Sequence, residues 1–206
     1  MLKLENLIVG YGKPAAGPFD EDYSDGTCVM LRGANGSGKS TLLKTVAGLL
    51  RPVSGSILTG GEVVMVPTHI PKVKGFSVRE FIRTSLLARS GIFGRLDARA
   101  EKNLEDVIGQ LGLDILAGKD ISTISDGEFQ KACIAAALTR KANVILLDEP
   151  TAFLDVDNRI MILRTLRDIA HGNPGAPGPT IIFSTHDIHD GAEYSDTTLS
   201  IKQIRP

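Results

Sequence analysis

The chain has 206 residues, enough for one ordinary domain with a sizeable core and a small inserted subdomain, and too few for two independent domains. With 42% hydrophobic and 23% charged residues it is no disordered chain, and a formal net charge of −1 gives no electrostatic footprint for non-sequence-specific nucleic-acid binding. Cys28 and Cys133 stand far apart in apolar surroundings and read as buried packing residues, and the chain shows neither a long apolar run nor a leader pattern, which predicts a reduced, cytosolic protein whose membrane role would run through a partner.

Leu2, Leu4 and Asn6 alternate with Lys3 and Glu5, which predicts a half-buried strand, broken by Gly10, Gly12 and Pro14 and followed by a loop. Thr27 to Arg32 reads as a second strand, GANGSGKST as a glycine-rich turn, and TLLKTVAGLL as a helix stopped by Pro52 and Gly55. Glu62 to Val66 is a short apolar strand closed by Pro67. The period then changes: Ser77 to Ala88 and Arg99 to Leu111 carry apolar residues at helical spacing around SGIFGRLDA, so the middle third reads as a helical insert. ISDGE, Ile124 to Glu128, leads into a helical run of Ala, Ile and Leu. Asn143 to Leu147 and TIIFS have the unbroken apolar character of strands buried on both faces, and Ile160, Leu163, Leu166 and Ile169 mark a helix between them, ahead of the loop GNPGAPGP. Strands alternating with helices predict an α/β fold with a mostly parallel sheet flanked by helices.

Gly33 to Ser40 fits G-x-x-x-x-G-K-[ST] between a predicted strand and a predicted helix. Glycines there let backbone N–H groups turn inward around phosphate oxygens, and the helix N-terminus adds positive potential. Lys39 would meet the β- and γ-phosphates, and the Ser40 hydroxyl would help hold Mg²⁺. The plain alternative is a glycine-rich turn with a solvated lysine. VILLDEP supplies two acids at the end of a buried strand: Asp148 as a metal partner and Glu149 to polarise an attacking water, against the alternative of two surface charges. His186, delivered by TIIFSTHD, has three readings: a phosphate contact, a metal pair with His189, or a structural histidine. ISDGE has two readings. Ser125 and Glu128 form an S-x-x-E capping box, and a capped helix N-terminus is also an anion site.

The ordered set GANGSGKST, ISDGE, VILLDEP, the Asp155 that closes AFLD, and STHD resembles the ATP-binding subunits of ABC transporters from Tyr11 to about Asp196. ISDGE with DEPTAFLD looks most like the iron-chelate and haem importer branch. The resemblance implies one ABC-type domain over 1–206, with a P-loop NTPase core at about 1–69 and 131–206, a small N-terminal antiparallel β element, and an inserted helical subdomain at about 70–130. It further implies a head-to-tail dimer with two ATP molecules at the interface, bound to transmembrane permease subunits at the inner face of the cell membrane. No direct nucleic-acid binding is expected.

By the same resemblance Tyr11 stacks on adenine, although alone it would read as a loop residue packed on the sheet. Asn35, Gly36, Ser37, Gly38, Lys39, Ser40 and Thr41 hold the phosphates. Ser125 and the Gly127 N–H reach across the dimer to the other ATP, with Asp155 beside them. Lys39, Glu149 and His186 form the catalytic set, and Ser40, Asp148 and Thr68 the Mg²⁺ side.

Two positions depart from the family pattern. Asp126 replaces a glycine, and a carboxylate aimed at a γ-phosphate would be repelled by roughly 4 kcal/mol at contact for an effective dielectric near 20. Its side chain is therefore expected to turn toward solvent or a cation. Thr68 stands where the family has a glutamine that senses Mg²⁺ and water, with His69 in that role if the alignment slips by one; neither is a close substitute. Arg79, Arg83, Arg89, Arg95 and Arg99 read as a solvated helix face, or, following the family, as anchors for the membrane partner. The rival readings are an ABC protein acting on nucleic acid, which would need tandem cassettes or coiled-coil insertions, a P-loop phosphotransferase, which would need an acceptor site and a lid, and a subunit that binds ATP without turning it over.

Overall fold

The computed structural model describes residues 1–87, 98–202 and 204. Eight strands and six α-helices follow one another along these residues: β1 (Leu2–Val9), β2 (Ala16–Tyr23), β3 (Cys28–Arg32), α1 (Lys39–Val46), β4 (Ser54–Thr59), β5 (Val63–Val66), α2 (Val78–Leu87), α3 (Ala98–Gln110), α4 (Asp126–Leu138), β6 (Val144–Leu147), α5 (Val156–His171), β7 (Thr180–Ser184), α6 (Ile188–Glu193) and β8 (Thr197–Ser200).

Strands β3, β5, β6, β7 and β8 form a parallel sheet in the order β5-β6-β7-β3-β8. The unbroken apolar runs of β6 and β7 are fully buried, because both faces are covered. Successive side chains enter opposite cores: Met30, Ile145, Leu147, Ile181 and Phe183 join the helices α4 and α5 on one face. Val29, Leu31, Val144, Leu146 and Ile182 join α1 and the N-terminal strands on the other.

The N-terminal part corrects three sequence expectations. The loop expected after the first strand contains β2, and β2-β1-β4 make an antiparallel sheet that embodies the N-terminal β element. β2 reads AGPFDEDY, where Pro18 and the three acidic residues Asp20, Glu21 and Asp22 mask the buried Ala16, Phe19 and Tyr23. β4, SGSILT, is almost wholly exposed and so carries no apolar pattern. Asn6 does not continue the buried face of β1: it is exposed at φ 46°, and its N–H donates to Asp20 Oδ1 at 2.8 Å. Both strand partners shift register there, which returns Leu7 and Val9 to the core. Finally, α1 stops at Ala47, with Gly48 at φ 73°, well before the expected Pro52, and leaves Leu49 72% exposed.

The helical segment shares the sheet's core. Val78, Ile82, Leu104, Ile108, Leu111 and Ala132 are continuous with Ile145 and Phe183 in one buried cluster. α4 runs unbroken across residue 130, so one helix belongs to both the insert and the sheet side. Arg79 pairs with Glu105 and Arg83 Nη2 lies 2.8 Å from Glu101, so these two arginines of the exposed face tie α2 to α3. Arg99 is exposed, whereas Arg89 and Arg95 lie outside the described residues. Cys28 and Cys133 are buried free thiols, and burial pushes each up to about 12. Among the described residues no helix is long and apolar enough to cross a membrane.

Candidate functional site

The glycine turn between β3 and α1 follows from local backbone chemistry. Gly38, the N-cap of α1, sits at φ 104°, a conformation that only glycine adopts without strain. No side chain caps this helix, so its first N–H groups point into the turn without a protein acceptor from a capping residue. Ser37 Oγ is buried and has no hydrogen-bond partner among the described residues. Lys39 is 6% exposed, and its ammonium donates to the carbonyls of Gly33 at 2.8 Å and Ala34 at 3.2 Å. Two of its three hydrogens are thus used inside the turn, and one is left for an external oxygen. Free amides, an orphan hydroxyl and a lysine held in place make an anion cradle, a donor set that fits a polyphosphate.

The acids lie across from this cradle at the end of β6. Asp148 is buried and Glu149 follows at φ 53°, in the left-handed region, where a bulky non-glycine residue is strained. Ser184, fully buried at the end of β7, resolves the hydrogen bonding of both: it accepts from the Glu149 N–H at 2.9 Å and donates to Asp148 Oδ1 at 2.9 Å. Sequence reasoning missed Ser184. Its signal is a hydroxyl that ends an otherwise apolar strand and opens the STHD stretch. Beyond it, His186 Nε2 lies 2.6 Å from Glu149 Oε1. His186 thus faces the acid, and among the described residues there is no cluster of three metal-type ligands around it and His189.

Tyr11, Asn35, Gly36, Gly38, Lys39, Ser40, Thr41, Glu149 and His186 together line one cleft of about 470 Å³. Tyr11 is 67% exposed, so it does not pack on the sheet as the plain reading had it, and its ring is open to a flat ligand. Glu149 and His186 also line an adjoining hollow of about 690 Å³ with Thr151, Arg159 and Asp187. The remaining candidates are not on the cleft wall. Thr68 lies just after β5, whose Val66 carbonyl accepts from the Asp148 N–H. Asp155 is the N-cap of α5, and its carboxylate accepts from the Asn158 N–H and side-chain amide, which holds it below the usual carboxylate range.

The capping box of α4 is formed as the sequence predicts. Ser125 Oγ accepts from the Glu128 N–H at 3.2 Å, and Glu128 Oε2 accepts from the Ser125 N–H at 2.7 Å. Gly127 has a second constraint: a Cβ there would lie 2.8 Å from the Phe153 carbonyl oxygen. Asp126 is 75% exposed and its Oδ1 lies 2.8 Å from Lys72 Nζ, so the expected turn toward solvent or a cation is what the side chain makes.

Residues 18–152 match the family model described as ABC transporter. The chain belongs to the ABC transporter family. An uncharacterized ABC transporter ATP-binding protein of Methanocaldococcus jannaschii is 32% identical over 98% of this chain and 73% of its own length. The iron(3+)-hydroxamate import ATP-binding protein of Bacillus subtilis is 27% identical over 98% of this chain and 79% of its own. Among solved structures, a chain of a metal-chelate-type ABC transporter in an inward-facing conformation superposes with a TM-score of 0.84 at 28% identity, over 98% of this chain and 79% of that one. The protein is therefore an ABC-type ATP-binding subunit with the P-loop NTPase fold, and its activity is ATP hydrolysis. The ISDGE residues are not among those that line the cleft between the glycine turn and Glu149.

Proposed function

We propose that this subunit closes as a head-to-tail dimer around two ATP molecules, hydrolyses them, and reopens to reset a transmembrane permease. The observation that carries the reading is the 2.6 Å contact of His186 with Glu149 on the wall of the glycine-turn cleft. Tyr11 stacks on the base. Asn35, Gly36, Ser37, Gly38, Lys39, Ser40 and Thr41 bind the phosphates through backbone amides, hydroxyls and the one spare hydrogen of Lys39. Glu149 accepts the proton of the attacking water, and His186 holds that carboxylate in orientation and faces the γ-phosphate.

Ser40, Asp148 and Thr68 are the residues that would hold Mg²⁺, whose chemistry is to neutralise phosphate charge. Ser184 supports this assignment, since its hydroxyl donates to Asp148 Oδ1 and fixes the aim of the carboxylate at a buried strand end. Ser125 and the Gly127 N–H cap the γ-phosphate bound to the other protomer, with Asp155 shaping the adjoining turn. That cross-chain role is supported by their absence from the cleft of their own chain, among the described residues.

The helical segment at about 70–130 acts as the lobe that meets the permease, at the inner face of the membrane. A permease of the metal-chelate import class is the reading favoured by the similarity to the iron(3+)-hydroxamate and metal-chelate-type proteins. Phosphate release from Mg-ATP tests the proposal. Wild type should turn over slowly, Lys39→Ala should lose nucleotide binding, and Glu149→Gln should bind ATP and dimerise without turnover. Wild-type protein that binds ATP and never hydrolyses it, even with its permease, would instead mark a subunit that only holds nucleotide.

A further inference from the structure

Lys72 is tied to the start of α4 in three ways. Its ammonium donates to the Ile124 carbonyl at 2.6 Å, lies 2.8 Å from Asp126 Oδ1, and sits 5.7 Å from the centre of the Phe129 ring. The lysine side chain is only 23% exposed, whereas the Asp126 side chain is 75% exposed. Charge-assisted and cation–π contacts thus hold a mostly buried cation beneath an exposed carboxylate. A few residues earlier on the same segment, the His69 ring lies 5.7 Å from the Phe153 ring, and the Phe153 carbonyl is the group that abuts Gly127. The stretch His69 to Lys72 therefore meets the ISDGE segment directly through Lys72 and indirectly through Phe153.

We propose that Lys72 is a positioning residue that makes ISDGE competent to approach a triphosphate: it draws the Asp126 carboxylate aside, cancels its charge, and fixes the helix start that presents Ser125 and Gly127. A lone carboxylate in the first turn would oppose a phosphate by Coulomb repulsion, and a cation at hydrogen-bond distance removes most of that field. The segment that carries Thr68 in place of glutamine is thereby anchored to the start of α4 through Lys72.

This inference rests on the cross-chain role of Ser125 and Gly127, and the test separates the two. In a Glu149→Gln background, ATP-dependent dimerisation is followed by light scattering, alongside turnover measured with Glu149 intact. Lys72→Met is expected to raise the ATP concentration for half-maximal dimerisation about tenfold and to lower turnover similarly, the scale of an uncompensated charge at partial screening. Lys72→Arg, which keeps the cation, and Lys72→Met/Asp126→Gly, which removes the carboxylate, should both return to within about threefold of the parent. A purely structural role for Lys72 would leave the double variant as impaired as the single one, and that result overturns the proposal. So does a Lys72→Met chain that dimerises and turns over like its parent. Failure of the Glu149→Gln parent itself to dimerise with ATP would overturn the cross-chain reading and this one together.

Discussion

Ser184 has two obligations at once at a fully buried strand end, accepting from the Glu149 N–H and donating to Asp148. Ser184→Ala should therefore cost about 1–3 kcal/mol of stability, the range for a buried polar group left unpaired. Because the lost bond also releases the strained Glu149 backbone, turnover should fall more than ATP affinity does; equal losses in both would mean that Ser184 only supports folding. Gly127 gives a second residue-scale expectation. Gly127→Ala drives a methyl group to 2.8 Å from the Phe153 carbonyl oxygen, so the turn that ends in Asp155 must move. Steady-state phosphate release should drop while Lys39-dependent nucleotide binding persists, and full activity in that variant would show that the turn adapts freely.

At the scale of elements, the helix starts carry the chain's response to acid. Glu128 is held below the usual carboxylate range chiefly by the Ser125 N–H, and Asp155 by the Asn158 N–H. A carboxyl whose folded value is depressed stabilises the fold above its unfolded value, near pH 4, and loses that contribution as the pH falls through the folded value. Urea midpoints should thus stay level from neutral pH to about 5 and decline below about 4, with a shallower decline in Glu128→Gln. The cap itself is tested separately: Ser125→Ala should lose about 1 kcal/mol at neutral pH, typical of an N-cap.

One buried cluster runs from α2 and α3 through α4 to one face of the parallel sheet, and the N-terminal strands and α1 pack in a second cluster on its other face, so the sheet joins both cores. Unfolding should accordingly be a single transition, with thermal midpoints by circular dichroism and calorimetry coinciding. The two thiols report the same event. Burial pushes Cys28 and Cys133 up to about 12, so neither should react with a disulfide reagent at pH 8 until the fold opens, and their reaction rates should track the unfolded fraction in urea. Fast reaction of Cys133 alone would mean that the helical segment opens independently.

Chemistry that is continuous in the chain could be read without coordinates: the glycine turn, the paired acids after a buried strand and the capping box each occupy a few consecutive residues, and backbone geometry makes them act locally. The β6 and β7 strands were equally legible, since burial on both faces leaves an unbroken apolar run. Strands β2 and β4 were hidden because the pairing that stabilises them is with β1, outside their own segments, and few of their own side chains form a buried apolar pattern. Folding alone brings Ser184 between Asp148 and Glu149, and Lys72 beneath Asp126, across separations of 36 and 54 residues for the Ser184–Asp148 and Lys72–Asp126 pairs. Hydrogen bonds and ion pairs depend on distance in space, and sequence separation does not encode that distance until the sheet and its covering helices have set it.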